Sequence, residues 1–541
     1  MLDILRELYP NKYHEVFSLI NNVIKKYEDI KPPKFGPFDE KDAILIVYPD
    51  QLNGFKKPLN VLKEFLDDIM VFTGVHILPF FPFSSDDGFA ITNFKKVRED
   101  LGSWKDVREI GKHYRLMVDL VLNHTSASHV WFKKFLADDP YYKNFYIKDS
   151  KEGWGRVFRP RPTPLFHPFQ KENGGVVNVW TTFSKDQVDL NYKDPLVLAN
   201  MVDVMLFYVK NNATILRLDA IAYTWKKKNT TCVNLNEAKL IVRLFKSILQ
   251  MISDDIYIIT ETNVPHKENI SYFEFGADLV YNFSLPPLLL YSIYSKDCQI
   301  LSSWINSLNS TLDKGLLANF IASHDGIGLV PAKEILKESQ IELIIKESQK
   351  RGALFTYRNT PMGKEVYEIN STVFSAIKDN SSWDYNKFLN IHSIMFSIPG
   401  VPFLYSESVL IGENDYDLYK KTKIPRSINR AHFTFDEIYS ISGERKRAIR
   451  KLFEMMFKRK FIKDLHPKSR VDASWQKPIL KIKRGNFTSI HNFSENEVNV
   501  EIDGFDVFKL KKVKNITLEP YGFTWLLRKI DNETLKRMSA I

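Results

Sequence analysis

Eight short apolar runs recur along most of this chain, and they constrain its fold more than any other feature. Most of them are separated by amphipathic stretches of helical length, such as 196–211 and 236–252. This alternation predicts parallel strands joined by helical crossovers. Eight such strands favour a closed (β/α)₈ TIM barrel over an open sheet. The predicted strands are 43–48, 75–80, 116–122, 214–220, 256–261, 279–284, 317–323 and 401–406.

The predicted fold class is therefore α/β, a barrel with two inserted subdomains and a C-terminal antiparallel β domain. Residues 1–41 have apolar side chains at helical spacing before the breaker run KPPKFGP, which predicts an N-terminal helical extension. The stretches 125–195 and 326–380 are too long for simple crossovers, so we expect them to be insertions. Short alternating runs in 466–541 predict the β domain. The barrel then comprises 42–124, 196–325 and 381–465.

Composition limits the class of protein. The chain has 541 residues, 44% of them hydrophobic and 26% charged, which is typical of a soluble globular protein with a large core. No apolar run approaches the ~18 residues of a membrane span, and the start of the chain has no signal-peptide pattern. Cys232 and Cys298 form no CxxC pair, in agreement with a reducing compartment. We expect a cytoplasmic protein.

The net charge of +11 raises the question of a nucleic-acid partner. However, the lysines are scattered among acids, and the densest cluster, KLKKVKN at 509–515, lies near the C-terminus. This pattern favours a lysine-rich solvated surface over a nucleic-acid groove. We expect no nucleic acid and no membrane as partners, although a positive field would favour an anionic substrate.

Four of the apolar runs end in polar residues of the kind that catalyse reactions. In a barrel, the chemistry lies at the carboxyl ends of the strands, which is where these residues fall. Any one segment alone is weak evidence, because a carboxylate there is more often a cap or a salt-bridge partner. All four together indicate a sugar-processing enzyme. The segments are VDLVLNH (118–124), ILRLDAIAY (215–223), IITETN (258–263) and IASHD (321–325).

Three of these side chains fit covalent sugar chemistry. Arg217 and Asp219 are two residues apart, so a strand places them on the same face. A guanidinium there is expected to lower the pKa of the carboxyl by ~1–3 units, as a nucleophile needs. Glu261 ends an apolar strand, where burial would raise its pKa and suit a general acid. A retaining glycosidase needs such carboxyls ~5–5.5 Å apart.

The remaining polar residues of the segments suit substrate binding. His124 and His324 follow strands and could donate hydrogen bonds to sugar hydroxyls, although an isolated histidine more often bonds to backbone. Asp325 would add a further hydrogen bond to the sugar ring. Asp119 lies inside its strand and is predicted to be a structural partner of barrel polar groups.

The four segments resemble the conserved regions of the α-amylase family of retaining glycoside-active enzymes. The resemblance implies that Asp219 is the nucleophile, Glu261 the acid/base and Asp325 the carboxylate that stabilises the transition state. It narrows to the sucrose phosphorylase branch and covers about 42–465. The motifs that carry it are VHILPFFPFSSDDGF (75–89), FRPRPTPLF (158–166), TTFSKDQVDLNY (181–192), VYNFSLPPLLL (280–290), SHDGIGL (323–329), VYEINSTVFSAI (366–377) and RSINR (426–430).

The resemblance also implies two sets of binding residues. The substrate-binding set is Asp86, His124, Gln187, Arg217, His324 and Glu368. The phosphate-binding set is Arg161, Tyr223, Tyr367 and Arg426, with Arg159 as a helper. Guanidinium forks and hydroxyl donors are what phosphate recognition needs, although each arginine alone could equally form a surface salt bridge.

The resemblance constrains the identity of the glucosyl acceptor less than it constrains the catalytic residues. The strings SSDDGF, ITETNVPHKENI and YEIN are similar to those of the glucosylglycerate phosphorylase subgroup, and Glu368 stands where sucrose-specific members carry Gln. We therefore expect an enzyme, a retaining α-glucoside phosphorylase, that converts 2-O-α-glucosylglycerate and phosphate into α-glucose 1-phosphate and glycerate. Sucrose or sucrose 6′-phosphate phosphorolysis, an α-glucosidase or transglucosidase activity, and a non-catalytic binding barrel remain alternatives. We expect no cofactor and no metal, and a homodimer is left open.

Overall fold

The computed structural model describes residues 1–149, 152–360 and 363–539, and its centre is a closed barrel of eight parallel strands. The barrel closes because the first strand pairs with both the second and the last. Its strands are buried on both faces, as apolar runs without alternation predict. All eight predicted strands are confirmed. They are β1 Ile44–Val47, β2 Gly74–Ile77, β3 Arg115–Val121, β4 Ala213–Asp219, β5 Tyr257–Thr260, β6 Leu279–Tyr281, β7 Leu316–Asn319 and β8 Val401–Tyr405.

Helices surround the barrel and connect its strands. The amphipathic stretches 196–211 and 236–252 form the helices Pro195–Lys210 and Asn236–Gln250. The first of these begins with proline at its first position, and Asp194 accepts a hydrogen bond from the backbone N–H of Leu196. The other helices of the barrel part of the chain are Pro58–Ile69, Trp104–His113, His266–Ile270, Leu285–Ser295, Gln299–Ser307, Asp384–Ser397, Ser406–Leu410, Tyr416–Thr422, Phe435–Ser440 and Gly443–Arg459.

The N-terminal segment forms two helices. They span Leu2–Leu8 and Tyr13–Lys25, and Pro10 lies in the break between them. Proline has no N–H to donate and disfavours helical conformation in the residue before it, so the helix ends there. The apolar side chains at helical spacing are buried against the barrel. The Tyr9 hydroxyl fixes this segment by donating to the Tyr192 carbonyl at 2.6 Å.

Two long connections carry small sheets of their own to the mouth of the barrel. Between β3 and β4 the elements are His124–Ser126, Val130–Leu136, Phe166–Gln170, Val176–Trp180 and Gln187–Asp189. The first and last of these pair, with Ser126 opposite Gln187. Between β7 and β8 the elements are Ile327–Gly328, Glu338–Lys350, Leu354–Thr360, Gly363–Asn370 and Val373–Ile377. Both sheets therefore place side chains above the barrel.

After the barrel, six antiparallel strands form the C-terminal sheet, as predicted. It packs on the helix Asp384–Ser397, where the Trp525 indole N–H donates to the Ser393 hydroxyl at 2.7 Å. The helix Asn532–Met538 follows the sheet. Both cysteines are buried and unpaired, and no helix in the described part of the chain is long and apolar enough to cross a membrane. The strands are β9 Asp472–Gln476, β10 Ile479–Arg484, β11 Phe487–Asn492, β12 Val498–Asp506, β13 Lys511–Leu518 and β14 Phe523–Leu527.

Candidate active site

One cavity at the carboxyl ends of the barrel strands brings together the predicted site residues, with the exception of Arg159. They come from nine separate stretches of the chain and converge there because the barrel aligns its strand ends and the two connections cover them. Arg159 does not line the cavity, and its guanidinium donates to the Thr163 carbonyl instead. The predicted residues that line the cavity are Asp86, His124, Arg161, Gln187, Arg217, Asp219, Tyr223, Glu261, His324, Asp325, Tyr367, Glu368 and Arg426.

Two carboxyls lie side by side at the rim of the barrel. Asp219 is the last residue of β4, and Glu261 directly follows β5, whose Thr260 is opposite Leu218 in β4. Ala220 then adopts a left-handed conformation (φ 50°) and turns the chain sharply. Its backbone N–H donates to Glu261 Oε2 at 3.0 Å. The turn therefore holds the Glu261 carboxyl next to the residue that follows Asp219.

Below the cavity, Arg217 links two carboxylates. Its Nη1 donates to Asp219 Oδ1 at 2.7 Å and to Asp119 Oδ1 at 2.6 Å. The other oxygen of Asp119 is 2.7 Å from His76 Nε2. Asp119 is fully buried within the barrel and does not line the cavity. Its contacts are those of a group that orients Arg217, which in turn orients Asp219.

The carboxyl pair is hard to ionise completely. Burial raises the pKa of Asp219 to about 8; Arg217 lowers this pKa in part, and the nearby Glu261 and Asp119 carboxylates add to the rise. The prediction that Arg217 would give Asp219 a lowered pKa is thus wrong for the net shift. Burial also raises the pKa of Glu261, with Asp325 adding to it, as its position after an apolar strand predicted. Because the two groups titrate as a pair, the site retains one proton near neutral pH.

A third carboxylate has the opposite environment. Burial alone would raise the pKa of Asp325, but the Arg426 guanidinium in contact with it holds the pKa well below its usual range. Arg426 also donates from Nη2 and Nε to the Glu368 carboxylate, at 2.6 and 3.2 Å. Gly326 lets this turn approach the strand that bears Glu368, since a Cβ there would lie 2.9 Å from Glu368 Cβ. Asp325 is therefore ionised and held firmly.

Asn429 and Arg430 fix the turn that carries His324 and Asp325, although neither was singled out from the sequence. The Asn429 amide donates to the carbonyls of Ser323 and Asp325, both at 3.1 Å. The Arg430 Nε donates to the His324 carbonyl at 2.9 Å. The motif RSINR, which contains both residues, was the available signal for them.

The opposite wall of the cavity offers amide, carboxylate and imidazole groups. Gln187 Nε2 donates to Asp86 Oδ2 at 2.9 Å and lies 3.1 Å from His124 Nε2. The ring of Phe89 stacks on His324 with 5.3 Å between centroids and 7° between planes. Burial lowers the pKa of His324 to about 3, so this imidazole is neutral. Apolar and amide residues that sequence analysis did not single out complete the wall, namely Phe89, Phe183, Asn263 and Phe283.

Arg161, Tyr223 and Tyr367 come from segments that follow the barrel strands, and we call this group the outer part of the cavity. The Arg161 guanidinium makes one long hydrogen bond, 3.4 Å to the Pro160 carbonyl, and within the described residues no carboxylate lies within ion-pair distance of it. The Tyr223 and Tyr367 hydroxyls bond to no other group in the described chain. Of the predicted phosphate-binding residues, these three have free donors, whereas Arg426 is already paired with Asp325 and Glu368.

A buried cation supports this arrangement from outside the cavity. Lys226 is 4% exposed, and its ammonium lies 2.6 Å from Asp189 Oδ2 and 2.7 Å from Asn123 Oδ1. It also donates to the Tyr223 carbonyl. Sequence analysis missed this residue because Lys226 is the first of three consecutive lysines, a run that indicates an exposed surface. Among the described residues, no cluster of three or more His, Cys, Asp and Glu side chains could hold a metal ion.

Known proteins are similar to this chain both in sequence and in structure. The family described as "Alpha amylase, catalytic domain" matches residues 50–378. A glucosylglycerate phosphorylase of Spirochaeta thermophila is 45% identical over 411 residues, which cover 74% of this chain and 70% of that protein. A glucosylglycerate phosphorylase of Escherichia coli is 37% identical over 515 residues, covering 90% and 92%.

Among solved structures, the sucrose 6F-phosphate phosphorylase of Thermoanaerobacter thermosaccharolyticum has the same fold. The two structures superpose with a TM-score of 0.74 and 26% sequence identity, over 83% of this chain and 93% of that one. This identity is lower than the 37–45% of the two glucosylglycerate phosphorylases.

Proposed function

The chain belongs to the α-amylase family, and from this membership we propose that it is a retaining α-glucoside phosphorylase. The reaction we assign to it converts 2-O-α-glucosylglycerate and phosphate into α-glucose 1-phosphate and glycerate. The relatives support this choice of substrate, since the two glucosylglycerate phosphorylases are more similar to the chain than the sucrose 6F-phosphate phosphorylase is.

In the first half-reaction, Asp219 is the nucleophile. One of its carboxylate oxygens forms a bond to the anomeric carbon while the bond from that carbon to the glycerate oxygen breaks. Glu261 gives its proton to the departing oxygen, so that oxygen leaves as the neutral 2-hydroxyl of glycerate. The shared proton of the pair belongs on Glu261 in this state, because Arg217 donates directly to Asp219 and stabilises its ionised form.

In the second half-reaction, phosphate takes the place of glycerate. A phosphate oxygen forms a bond to the anomeric carbon, the bond to Asp219 breaks, and Glu261 accepts the proton that phosphate loses. Two inversions give α-glucose 1-phosphate with retained configuration. Asp325, kept ionised by Arg426, stabilises the positive charge that develops on the sugar ring in both steps.

Two groups of residues in the cavity bind different parts of the substrates. Asp86, Gln187, His124 and His324 bind the hydroxyls of the glucosyl ring, which the polar inner wall supports. Arg161, Tyr223 and Tyr367 bind phosphate. With phosphate at roughly 10 mM against roughly 55 M water, phosphate needs about 5 kcal/mol of preferential positioning to compete, which oriented binding can supply.

The observation that carries the proposal is that a proton-sharing carboxyl pair and an unneutralised guanidinium open into one cavity. A hydrolase needs the first feature but not the second. The test is product analysis with 2-O-α-glucosylglycerate and, separately, with sucrose. We expect phosphate to accelerate cleavage of the first donor and to give α-glucose 1-phosphate. Free glucose as the only product, at a rate independent of phosphate, would overturn the proposal.

A further inference from the structure

Of the cations in the cavity wall, Arg161 has a guanidinium that no carboxylate of the described residues contacts. Arg217 is bonded to Asp119 and Asp219. Arg426 is bonded to Asp325 and Glu368. Within the described residues, Arg161 has only the Pro160 carbonyl as an acceptor. A ligand anion that enters the cavity can therefore bind the Arg161 guanidinium without competing with a carboxylate of the described residues.

The two histidines of the cavity do not supply a second cation. Burial lowers the pKa of His324 to about 3 and also lowers the pKa of His124, so both rings are neutral near pH 7. The wall also carries the carboxyl groups of Asp86, Asp325 and Glu368. An anion bound away from Arg161 would therefore face more negative charge than positive.

Two different anions have to use this cavity if the proposed function holds, on which this inference rests. The leaving group glycerate carries a carboxylate, and the incoming phosphate carries at least one negative charge. In a double displacement both are bonded to the same face of the anomeric carbon in turn, so they occupy the same outer part of the cavity.

We propose that Arg161 binds the glycerate carboxylate as well as phosphate, and that it selects an anionic acceptor over a neutral one. A guanidinium offers parallel N–H donors that match either a carboxylate or a phosphate in bidentate fashion. The Tyr223 and Tyr367 hydroxyls lie beside it and supply neutral donors to whichever anion is bound. Arg161 is thus a specificity-determining residue for both half-reactions.

The test uses α-glucosyl fluoride as donor, because its leaving group carries no carboxylate or phosphate. The C1–F bond breaks as the Asp219–C1 bond forms, fluoride leaves, and Glu261 releases its proton to fluoride or to solvent. The 2-hydroxyl oxygen of glycerate then bonds to C1, the Asp219–C1 bond breaks, and the hydroxyl proton goes to Glu261. Transfer to glycerate is compared with transfer to glycerol, and hydrolysis of the donor serves as the internal reference for each variant.

We expect the wild type to prefer glycerate, and Arg161→Gln to lower the glycerate-to-glycerol ratio of kcat/KM by roughly 10- to 100-fold, the range of a charge-assisted hydrogen bond. Arg161→Lys should restore part of the ratio. The matched control is Arg156→Gln in the same loop, where an exposed guanidinium contacts the Asn229 carbonyl outside the cavity; it should keep the wild-type ratio.

Competition between phosphate and glycerate tests whether both anions bind to Arg161. Phosphate should inhibit transfer to glycerate competitively, and Arg161→Gln should raise the KM for glycerate and the inhibition constant for phosphate by similar factors. An unchanged acceptor ratio in Arg161→Gln, or a loss confined to phosphate, overturns the inference and leaves the proposed function standing. A wild type that transfers no glucosyl group to glycerate overturns both.

Discussion

Asp219 and Glu261 are chemically alike and lie at neighbouring strand ends, yet the proposed reaction needs one ionised and the other protonated. Their hydrogen bonds make the difference. Asp219 accepts from a guanidinium at 2.7 Å, whereas Glu261 accepts a backbone N–H at 3.0 Å. A bond to a charged donor favours the ionised form more strongly than a bond to an amide. The proton of the pair is thus directed to Glu261.

Glu261→Gln should separate the two halves of the reaction. Gln cannot give a proton to glycerate, so kcat/KM for 2-O-α-glucosylglycerate should fall about 10²- to 10⁴-fold. Formation of the glucosyl-enzyme from α-glucosyl fluoride should fall much less, because fluoride is a good leaving group without protonation. Steady-state rates with both donors check this, with Glu342→Gln on the exposed face of the helix Glu338–Lys350 as control. Equal losses with both donors would contradict the assigned role.

The pH dependence of donor cleavage should show the raised pKa of the carboxyl pair. Cleavage needs one proton on the pair, so the rate should fall as pH rises through the raised pKa of the pair. An unperturbed glutamate would place this fall at about pH 4–5. We expect kcat/KM for 2-O-α-glucosylglycerate to be maintained beyond that range and to decline only at higher pH. A decline that is complete below pH 6 would show that burial does not raise the pKa of the pair.

At this scale, the sequence was sufficient to place the reacting groups but not their electrostatics. Asp219 and Glu261 could be found because each ends an apolar strand. Their net pKa shifts could not, since these depend on how close the pair lies and how completely it is buried. Likewise, the pairing of Arg426 with Glu368 joins side chains 58 residues apart and has no local sequence signal.

Among the elements, the connection after β3 and the turn after β4 are joined by one buried ion pair. Asp189, in the strand Gln187–Asp189, accepts from Lys226, Asn123 and the Thr182 backbone N–H and hydroxyl. Lys226 also holds the Tyr223 carbonyl. The position of the Tyr223 side chain in the outer cavity therefore depends on an ammonium that faces away from the substrate.

Lys226→Met should be costly, because it leaves Asp189 buried without its cation. We expect the free energy of unfolding to fall by about 3–5 kcal/mol, as measured by urea denaturation. The double variant Lys226→Met/Asp189→Asn should recover part of this loss, since no unpaired charge remains.

The control for that substitution is Lys228→Met. Lys228 pairs with Asp149 at 3.1 Å but is 49% exposed, so the change should cost less than about 1 kcal/mol. If Lys226→Met were no more destabilising than this control, the ammonium would not be the link between the two elements.

Element prediction succeeded where hydrophobic pattern decides the structure. The eight barrel strands are buried on both faces, so each is an apolar run that can be recognised locally. In the N-terminal segment it gave no helix boundary, because apolar spacing continues through Tyr9 while Pro10 ends the first helix. It also gave no detail of the connections after β3 and β7, whose short strands pair over long sequence distances.

For the whole molecule, the barrel explains why a site can be assembled from residues between positions 86 and 426. Parallel strands end on one side, and the insertions close over that side. The fold class could be derived from sequence because the strand–helix alternation persists over most of the chain. How the C-terminal sheet attaches to the barrel could not, because that contact depends on buried polar groups which are distant in sequence.

One of these polar contacts is made by Arg484, at the end of β10. The side chain is 1% exposed and donates to the carbonyls of Ile398 at 3.2 Å, Ser469 at 3.0 Å and His466 at 2.5 Å. Ile398 follows the helix Asp384–Ser397 of the barrel, and the other two lie in the connection to the sheet. One guanidinium thus ties the sheet, the connection and the barrel together.

Arg484→Met should weaken this attachment. Methionine can fill much of the space but cannot donate, so the buried Ile398 carbonyl and the partly buried Ser469 carbonyl lose this donor, and each unsatisfied group costs about 1–3 kcal/mol. The His466 carbonyl keeps the backbone N–H of Ser469 as a donor. We expect the free energy of unfolding to fall by about 2 kcal/mol or more in urea denaturation, and calorimetry to show a lower Tm. Arg528→Met on the exposed surface just after β14 is the matched control. Equal stability of the two variants would mean that apolar packing, including Trp525 on Ser393, suffices to hold the sheet on the barrel.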